Sequence, residues 1–329
     1  MSLGSSPLGS TLSSPTISPL KRSRVSRETN WTIGLWTFHN ERAIAGALIP
    51  SFLGVIGAIA VALLVHVSAA SAAGQPVRVQ GGRWLLAGRA YESAKLSTHP
   101  HLIVVIHGDA PSVNPSYQYV FAKGAAAALH DVVAVGVLRP GYQDGMGGRS
   151  EGDRGFALAD NYTADDIASV ASAANALMGR YHAADLTLVG HSGGSTIAAD
   201  ILALFPGLAR GALLVSCPCD VPAFRWGMMK YQWNPLWLIP VHAVSPQDHA
   251  RQIPRTTIVR MVVGSADPLT PPPLTLAFAR ALEANGGNVQ VLVLKDLGHE
   301  ILLHPAVFQE LRTLMNEASG DPTADSSLR

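Results

Sequence analysis

A chain of 329 residues, 48% apolar and 14% charged, can bury a sizeable core, and α/β folds of roughly 250 residues commonly form one domain. A formal charge of +1 gives no electrostatic ground for a nucleic-acid partner. Only two cysteines are present, Cys217 and Cys219. One intervening residue is poor spacing for an ordinary disulfide and two thiols are too few for zinc, so both are expected as small packing residues.

Residues 1–20 are rich in Ser, Pro, Gly and Thr, and residues 1–42 read as a disordered basic region carrying Lys21, Arg22, Arg24, Arg27 and Arg42 against Glu28 and Glu41. From Ala43 to Val77 no Asp, Glu, Lys or Arg occurs, and Ile44 to Val67 is long and apolar enough to span a bilayer. Basic residues before this run place the downstream domain outside the cytoplasm. Ala70-Ser71-Ala72 suits a signal peptidase, whereas the long basic leader suits a retained anchor. Pro50, which shortens the unkinked part to Ser51–Val67, tips the balance slightly toward cleavage; a buried core helix is the third reading. Residues 43–73 are thus expected as signal peptide or transmembrane anchor, with export of the domain and membrane association through residues 44–67.

Val77 to Tyr91, with turns at Gly81-Gly82 and Gly88, reads as leading antiparallel strands. His101 to Ile106 is a buried strand ending in His107-Gly108-Asp109, and a helical pattern covers Tyr117 to Leu129. Val132 to Leu138 is a further strand, ending in Arg139-Pro140-Gly141-Tyr142, before the glycine-rich stretch Gly145 to Gly155. Thr163 followed by Asp166 resembles a helix N-cap, with a helix running to about Tyr181. Leu186 to Val189 is a strand, Ser195 to Phe205 a helix and Gly211 to Ser216 a strand; after the insert Cys217–Arg255 come strands at Ile258–Val263 and Val289–Leu294. No repeats occur. Strands alternating with helices imply a mainly parallel sheet covered on both faces, in a domain over residues 77–318 with a flexible tail at 319–329.

Gly190-His191-Ser192-Gly193-Gly194 joins a strand to a helix, the context in which G-x-S-x-G carries a nucleophile. A turn that sharp strains the serine and leaves no room for flanking side chains, which the glycines supply. Asp267 follows one later strand and His299 the next, 75 and then 32 residues on, so all three lie beyond the C-terminal ends of strands. Asp296 is the rival acid, but three residues before His299 it reads more naturally as a turn residue.

With four ordered motifs over about residues 80–316, the chain resembles the α/β-hydrolase superfamily. The resemblance implies an α/β-hydrolase fold, with a short cap-like insert at 217–255 and the hydrophobic segment in front. It implies Ser192 as nucleophile, His299 as base and Asp267 as the acid that orients it. The His107-Gly108 turn resembles one side of the oxyanion hole, implying donors at the N–H groups of Asp109 and Gly193. A carboxylate at 109 would oppose an oxyanion unless its side chain turns away. His107 itself reads as a structural histidine.

The insert holds Trp226, Trp233 and Trp237 with Met229 among other large residues, which can either line a pocket for an apolar acyl or alcohol group or pack the insert onto the sheet. Its only carboxylates are Asp220 and Asp248, a poor match to a free amino terminus. His299 and His304 sit five apart, about 140° around a helix, so no metal site is expected, nor any cofactor. The expected substrate is a small-molecule ester or short acyl compound. The alternatives are a serine peptidase of prolyl-oligopeptidase or aminopeptidase type, and a catalytically silent binding protein.

Overall fold

The structure is a computed structural model and describes residues 74–319. The leader expected at 1–42, the apolar segment at 43–73 and the tail beyond Ser319 lie outside the described residues. Among the described residues no helix is long and apolar enough to cross a membrane.

Eight strands form one sheet: β1 (Gln75–Gly81), β2 (Trp84–Glu92), β3 (His101–Ile106), β4 (Val132–Val137), β5 (Asp185–His191), β6 (Gly211–Val215), β7 (Ile258–Gly264) and β8 (Asn288–Leu294). Their spatial order is β1-β2-β4-β3-β5-β6-β7-β8, with β2 antiparallel to both its neighbours and every other pairing parallel. Six longer helices accompany them: α1 (Tyr117–Ala128), α2 (Ala164–Tyr181), α3 (Gly193–Leu204), α4 (Val221–Gln232), α5 (Pro272–Ala284) and α6 (Pro305–Ser319).

The central strands are apolar on both faces because both are covered. Along β3, Leu102, Val104 and Ile106 join Ile167, Val170, Ile197 and Phe278 from α2, α3 and α5 on one side. Ile103 and Val105 join Phe121, Val307 and Leu311 from α1 and α6 on the other. This two-residue alternation is the strand period, read as two cores. Helix α2 starts where the sequence places it: Thr163 Oγ1 accepts from Asp166 N–H at 3.2 Å, and the Asp166 carboxylate accepts from Thr163 N–H at 3.2 Å.

The sheet order decides where chemistry can occur. The chain leaves β3 toward β4 on one side and β5 toward β6 on the other, with α1 and α3 on opposite faces. The loops after β3 and β5 therefore diverge and open a crevice at the C-terminal strand edge.

Cys217 and Cys219 are not the free packing residues that their spacing suggests. They form a disulfide, their Cα atoms 5.1 Å apart and both residues fully buried. Ser216 in left-handed backbone (φ 51°) turns the chain as it leaves β6, and Thr196 Oγ1 and Gln247 N–H bond the carbonyls of Pro218 and Cys219. That compact turn brings the Cα atoms within bridging range, which spacing along an extended chain would not do.

Asp200 on α3 is fully buried, and neither carboxylate oxygen has a hydrogen-bond partner among the described residues. Burial, reinforced by the charge of Asp248, pushes its carboxyl up to about 8. A raised carboxyl binds a proton in the folded state that the unfolded chain has released, so stability falls as pH climbs from about 4 to 8. Asp200→Asn should therefore raise Tm by several degrees, on the order of 2–8 °C, at pH 8 and by much less at pH 5. Equal shifts at both pH values in thermal melts would contradict this.

Candidate active site

A sharp turn joins β5 to α3. Ser192 sits there at φ 52°, ψ −126°, a backbone conformation that ordinary residues avoid. Its N–H is tied to Val215 O at 2.8 Å. A Cβ on Gly194 would collide with the carbonyl oxygens of Ile106 and His107, and one on Gly190 would strike the backbone of Gly194 and Ser195. Glycine is what lets α3 start this close to β3. Gly193 is the first residue of α3, where the leading N–H groups have no intrahelical acceptor and face incoming negative charge.

Across the crevice, the turn after β3 presses Gly108 against Ser192, since a Cβ there would come within 2.8 Å of the serine Cβ. Both polar groups of Gly108 are held. Its N–H donates to Tyr117 Oη at 2.6 Å, and its C=O lies 2.7 Å from His107 Nδ1. His107 Nε2 accepts from Arg139 N–H at 3.1 Å, so Nδ1 carries the proton and donates. In a trans peptide the C=O of residue 108 and the N–H of residue 109 point in opposite directions. Holding the first thereby aims the second. His107 is fully buried, and desolvation with the nearby Arg139 charge keeps its pKa well below the ordinary value, so it is a neutral structural residue.

The Asp109 carboxylate is neutralised by its surroundings. Arg139 Nη1 pairs with Oδ1 at 2.8 Å, and Tyr162 Oη donates to Oδ2 at 2.5 Å. Burial and the Asp109 charge push the Tyr162 phenol well above its usual value, which keeps it a donor. Arg139, just past the end of β4, is 1% exposed, although in the sequence it reads as a loop residue without a role. Its sole signal there is an arginine closing a strand of otherwise apolar residues.

Asp267 and His299 meet from neighbouring strands. Asp267, just after β7, has its side chain fully buried. Its Oδ1 accepts from Leu269 and Thr270 N–H, both at 2.9 Å, and Oδ2 accepts from Thr270 Oγ1 at 2.7 Å. His299 Nδ1 lies 2.9 Å from the same Oδ2. Burial alone would raise this carboxyl, but the hydrogen bonds from His299 and Thr270 outweigh it and bring its pKa down to about 2. An ionised carboxylate only accepts, so Nδ1 carries the imidazole proton and Nε2 keeps a lone pair. Asp296, by contrast, is exposed at φ 57° in the turn before His299, its N–H bonded to Ser265 Oγ at 2.8 Å.

The four insert residues expected to line a pocket differ in burial and setting. Trp237 is buried against Phe224, their rings 5.6 Å apart edge to face, and Met229 packs half-buried on the core. Trp226 is half exposed and Trp233, in left-handed backbone (φ 51°) after α4, is 88% exposed. Trp226 and Trp237 do share a groove of about 340 Å³ with Leu238, Ile239 and Val241, but its lining includes none of Ser192, Asp267 and His299. The reason is the face α4 presents: Phe224 and Met228 turn inward, so Trp226 turns out. Arg225, unmarked by any motif in the sequence, clamps the insert by donating to Leu158 O and, at 2.6 Å, to Ile239 O.

The sheet order and the site beyond its C-terminal edge define an α/β-hydrolase. A model of the prolyl oligopeptidase family matches residues 144–316. The chain belongs to that family, within the α/β-hydrolase superfamily. Among solved structures, it is similar to the acylaminoacyl peptidase of Pyrococcus horikoshii with TM-score 0.57 and 14% identity, over 75% of this chain and 41% of that one. The chain thus spans about two fifths of that peptidase's length. Est1E from Butyrivibrio proteoclasticus, with ferulic acid bound, aligns with TM-score 0.59 and 13% identity over 74% of this chain and 99% of the esterase. A Pyrococcus furiosus esterase aligns with TM-score 0.55 and 13% identity over 75% and 90%. At these identities the likeness is one of fold. No curated protein matches the sequence.

Proposed function

We propose that the chain is a carboxylic ester hydrolase working through Ser192, His299 and Asp267. The observation that carries this is the His299 Nδ1–Asp267 Oδ2 bond of 2.9 Å, which leaves Nε2 as a base in the crevice that opens onto the strained Ser192 turn. Ser192 Oγ attacks the ester carbonyl and its proton passes to His299 Nε2. Asp267 stabilises the imidazolium so formed without taking its proton. The carbonyl oxygen becomes an oxyanion, met by the N–H groups of Gly193 and Asp109; each such donor contributes roughly 3–4 kcal/mol. His299 returns the proton to the departing alcohol oxygen, leaving an acyl-enzyme. Water, deprotonated by the same nitrogen, then releases the acid. No cofactor enters this scheme.

Arg139 and Tyr162 make the scheme workable. With both Asp109 oxygens engaged, the carboxylate is turned to its own partners and its charge is offset beside the place where negative charge develops.

An ester substrate is favoured over a peptide because the insert offers only Asp220 and Asp248 as carboxylates. The esterase neighbours are also matched over nearly their whole length. Membership of the prolyl oligopeptidase family supports peptidase activity as the second reading. Residues 44–67 would deliver or tether this activity outside the cytoplasm; a full-length chain found wholly in the cytosol would contradict that placement. A panel of p-nitrophenyl esters of graded acyl length beside aminoacyl-p-nitroanilides decides the bond. The best ester should surpass every anilide in kcat/KM. The reverse order would make the enzyme a peptidase.

A further inference from the structure

We propose that Tyr117 and His191 form a positioning relay that holds the Gly108–Asp109 turn and the His299 loop in register around Ser192. The proposal rests on the reading of Ser192 and His299 as nucleophile and base. Four groups lie in a chain: Gly108 N–H to Tyr117 Oη at 2.6 Å, Tyr117 Oη to His191 Nδ1 at 3.0 Å, and His191 Nε2 to His299 O at 3.1 Å.

Every proton in the chain is assigned by elimination. The His299 carbonyl can only accept, so His191 Nε2 carries a hydrogen and donates. A neutral imidazole then offers Nδ1 as acceptor, and the Tyr117 hydroxyl donates to it. The phenol oxygen is left to accept from Gly108 N–H. Burial, with the His299 charge adding, lowers His191 to about 4, and burial raises the Tyr117 phenol, so both stay neutral as this requires. Turning the Tyr117 hydroxyl toward Gly108 N–H would set donor against donor, and moving the imidazole proton to Nδ1 would set the Nε2 lone pair against the His299 carbonyl oxygen.

The two ends are the two parts of the machinery that must stay in register. At one end, Gly108 belongs to the turn whose next N–H, that of Asp109, is the proposed oxyanion donor. At the other, the carbonyl is that of His299 itself, also held by Ser216 Oγ at 3.1 Å and Ile301 N–H at 2.9 Å. His191 is moreover the residue before the nucleophile, and its ring stands 5.1 Å from that of His299. A misplacement of about 1 Å in such a constellation can cost on the order of 100-fold in rate. Neither Tyr117 nor His191 exchanges a proton with substrate; they act through the groups they hold.

The test uses Tyr117→Phe, which deletes one oxygen from a ring that keeps its packing, together with His191→Ala and His191→Gln. Tyr117→Phe should lower kcat roughly 10- to 100-fold with KM within about threefold. It should lower Tm by no more than a few degrees, since it leaves Gly108 N–H and His191 Nδ1 without this partner. The Tyr117→Phe/His191→Ala double variant should be no slower than the slower single variant, because the pair acts as a unit. His191→Gln, whose amide can donate to His299 O and accept from Tyr117, should recover part of the loss seen in His191→Ala. In wild type, imidazole ¹⁵N NMR should show Nδ1 as the unprotonated nitrogen of His191. Full kcat in Tyr117→Phe, additive losses in the double variant, or a proton on Nδ1 would each overturn the relay. Fluorophosphonate labelling separates the two layers. A wild type that fails to label at Ser192 brings down both readings, whereas variants that label at the wild-type rate bring down the relay alone.

Discussion

Ser192→Ala and His299→Ala should each lower kcat by at least about 10⁴-fold, and combining them should cost little more than either alone. The reason is mechanistic unity: without the base the hydroxyl stays a poor nucleophile, and without the hydroxyl the base has nothing to activate. A residual rate over water should survive from the Gly193 and Asp109 N–H donors and from binding. Ser192 is half-buried and outside the two apolar cores, so Ser192→Ala should leave the melting temperature little changed. His299→Ala removes a hydrogen-bond partner of the buried Asp267 carboxylate and should lower that temperature by a few degrees. Retention of most activity in either single variant would remove that residue from the mechanism.

Asp267→Asn should reduce kcat by three to four orders of magnitude, through a different route. An asparagine amide presents a donor where the carboxylate accepts. His299 would then accept at Nδ1 and carry its proton on Nε2, the nitrogen that must receive one from Ser192. The fold should persist because the side chain keeps its shape. The acid limb of stability should change with it. The Asp267 carboxyl is depressed to about 2, so its stabilising contribution is complete above about pH 4 and is lost as pH falls toward 2. Wild type should forfeit roughly 2 kcal/mol over that interval beyond what the variant loses. Asp296→Asn, on an exposed turn, should leave both rate and acid stability near wild type. If Asp296→Asn were the more damaging of the two, the roles given to these residues would be exchanged.

Much of this architecture is legible in the sequence because its determinants are local. The unbroken apolar runs of strands β3 and β4, the glycines around Ser192 and the Thr163–Asp166 cap each occupy a window of a few residues, and the structure forms the elements there. The positions beyond strands β7 and β8 that carry Asp267 and His299 follow from counting elements, since parallel strands end at one edge. The features that sequence does not disclose depend on contacts between distant residues. Arg139 reaches Asp109 across 30 residues, Arg225 reaches Leu158 across 67, and Tyr117 reaches His191 across 74. No periodicity marks such partners, and a lone buried arginine looks like any loop arginine until its carboxylate is seen. The Cys217–Cys219 bridge is hidden for the opposite reason. It is local, but it depends on a left-handed residue at Ser216, a conformation that serine identity does not announce. The tryptophans of the insert are legible as a cluster. Which of them face inward depends on the rotation of α4, and Phe224 and Met228 take the inner face.

The central claim is that Ser192 is the acylated nucleophile, and the most direct measurement is the site of covalent modification. Wild-type enzyme treated with a fluorophosphonate probe, digested and mapped by tandem mass spectrometry should carry one adduct, on the Ser192 oxygen. The adduct should be absent from Ser192→Ala and form far more slowly in His299→Ala. An adduct on another residue, or a wild type that stays unmodified while hydrolysing esters, would contradict the account.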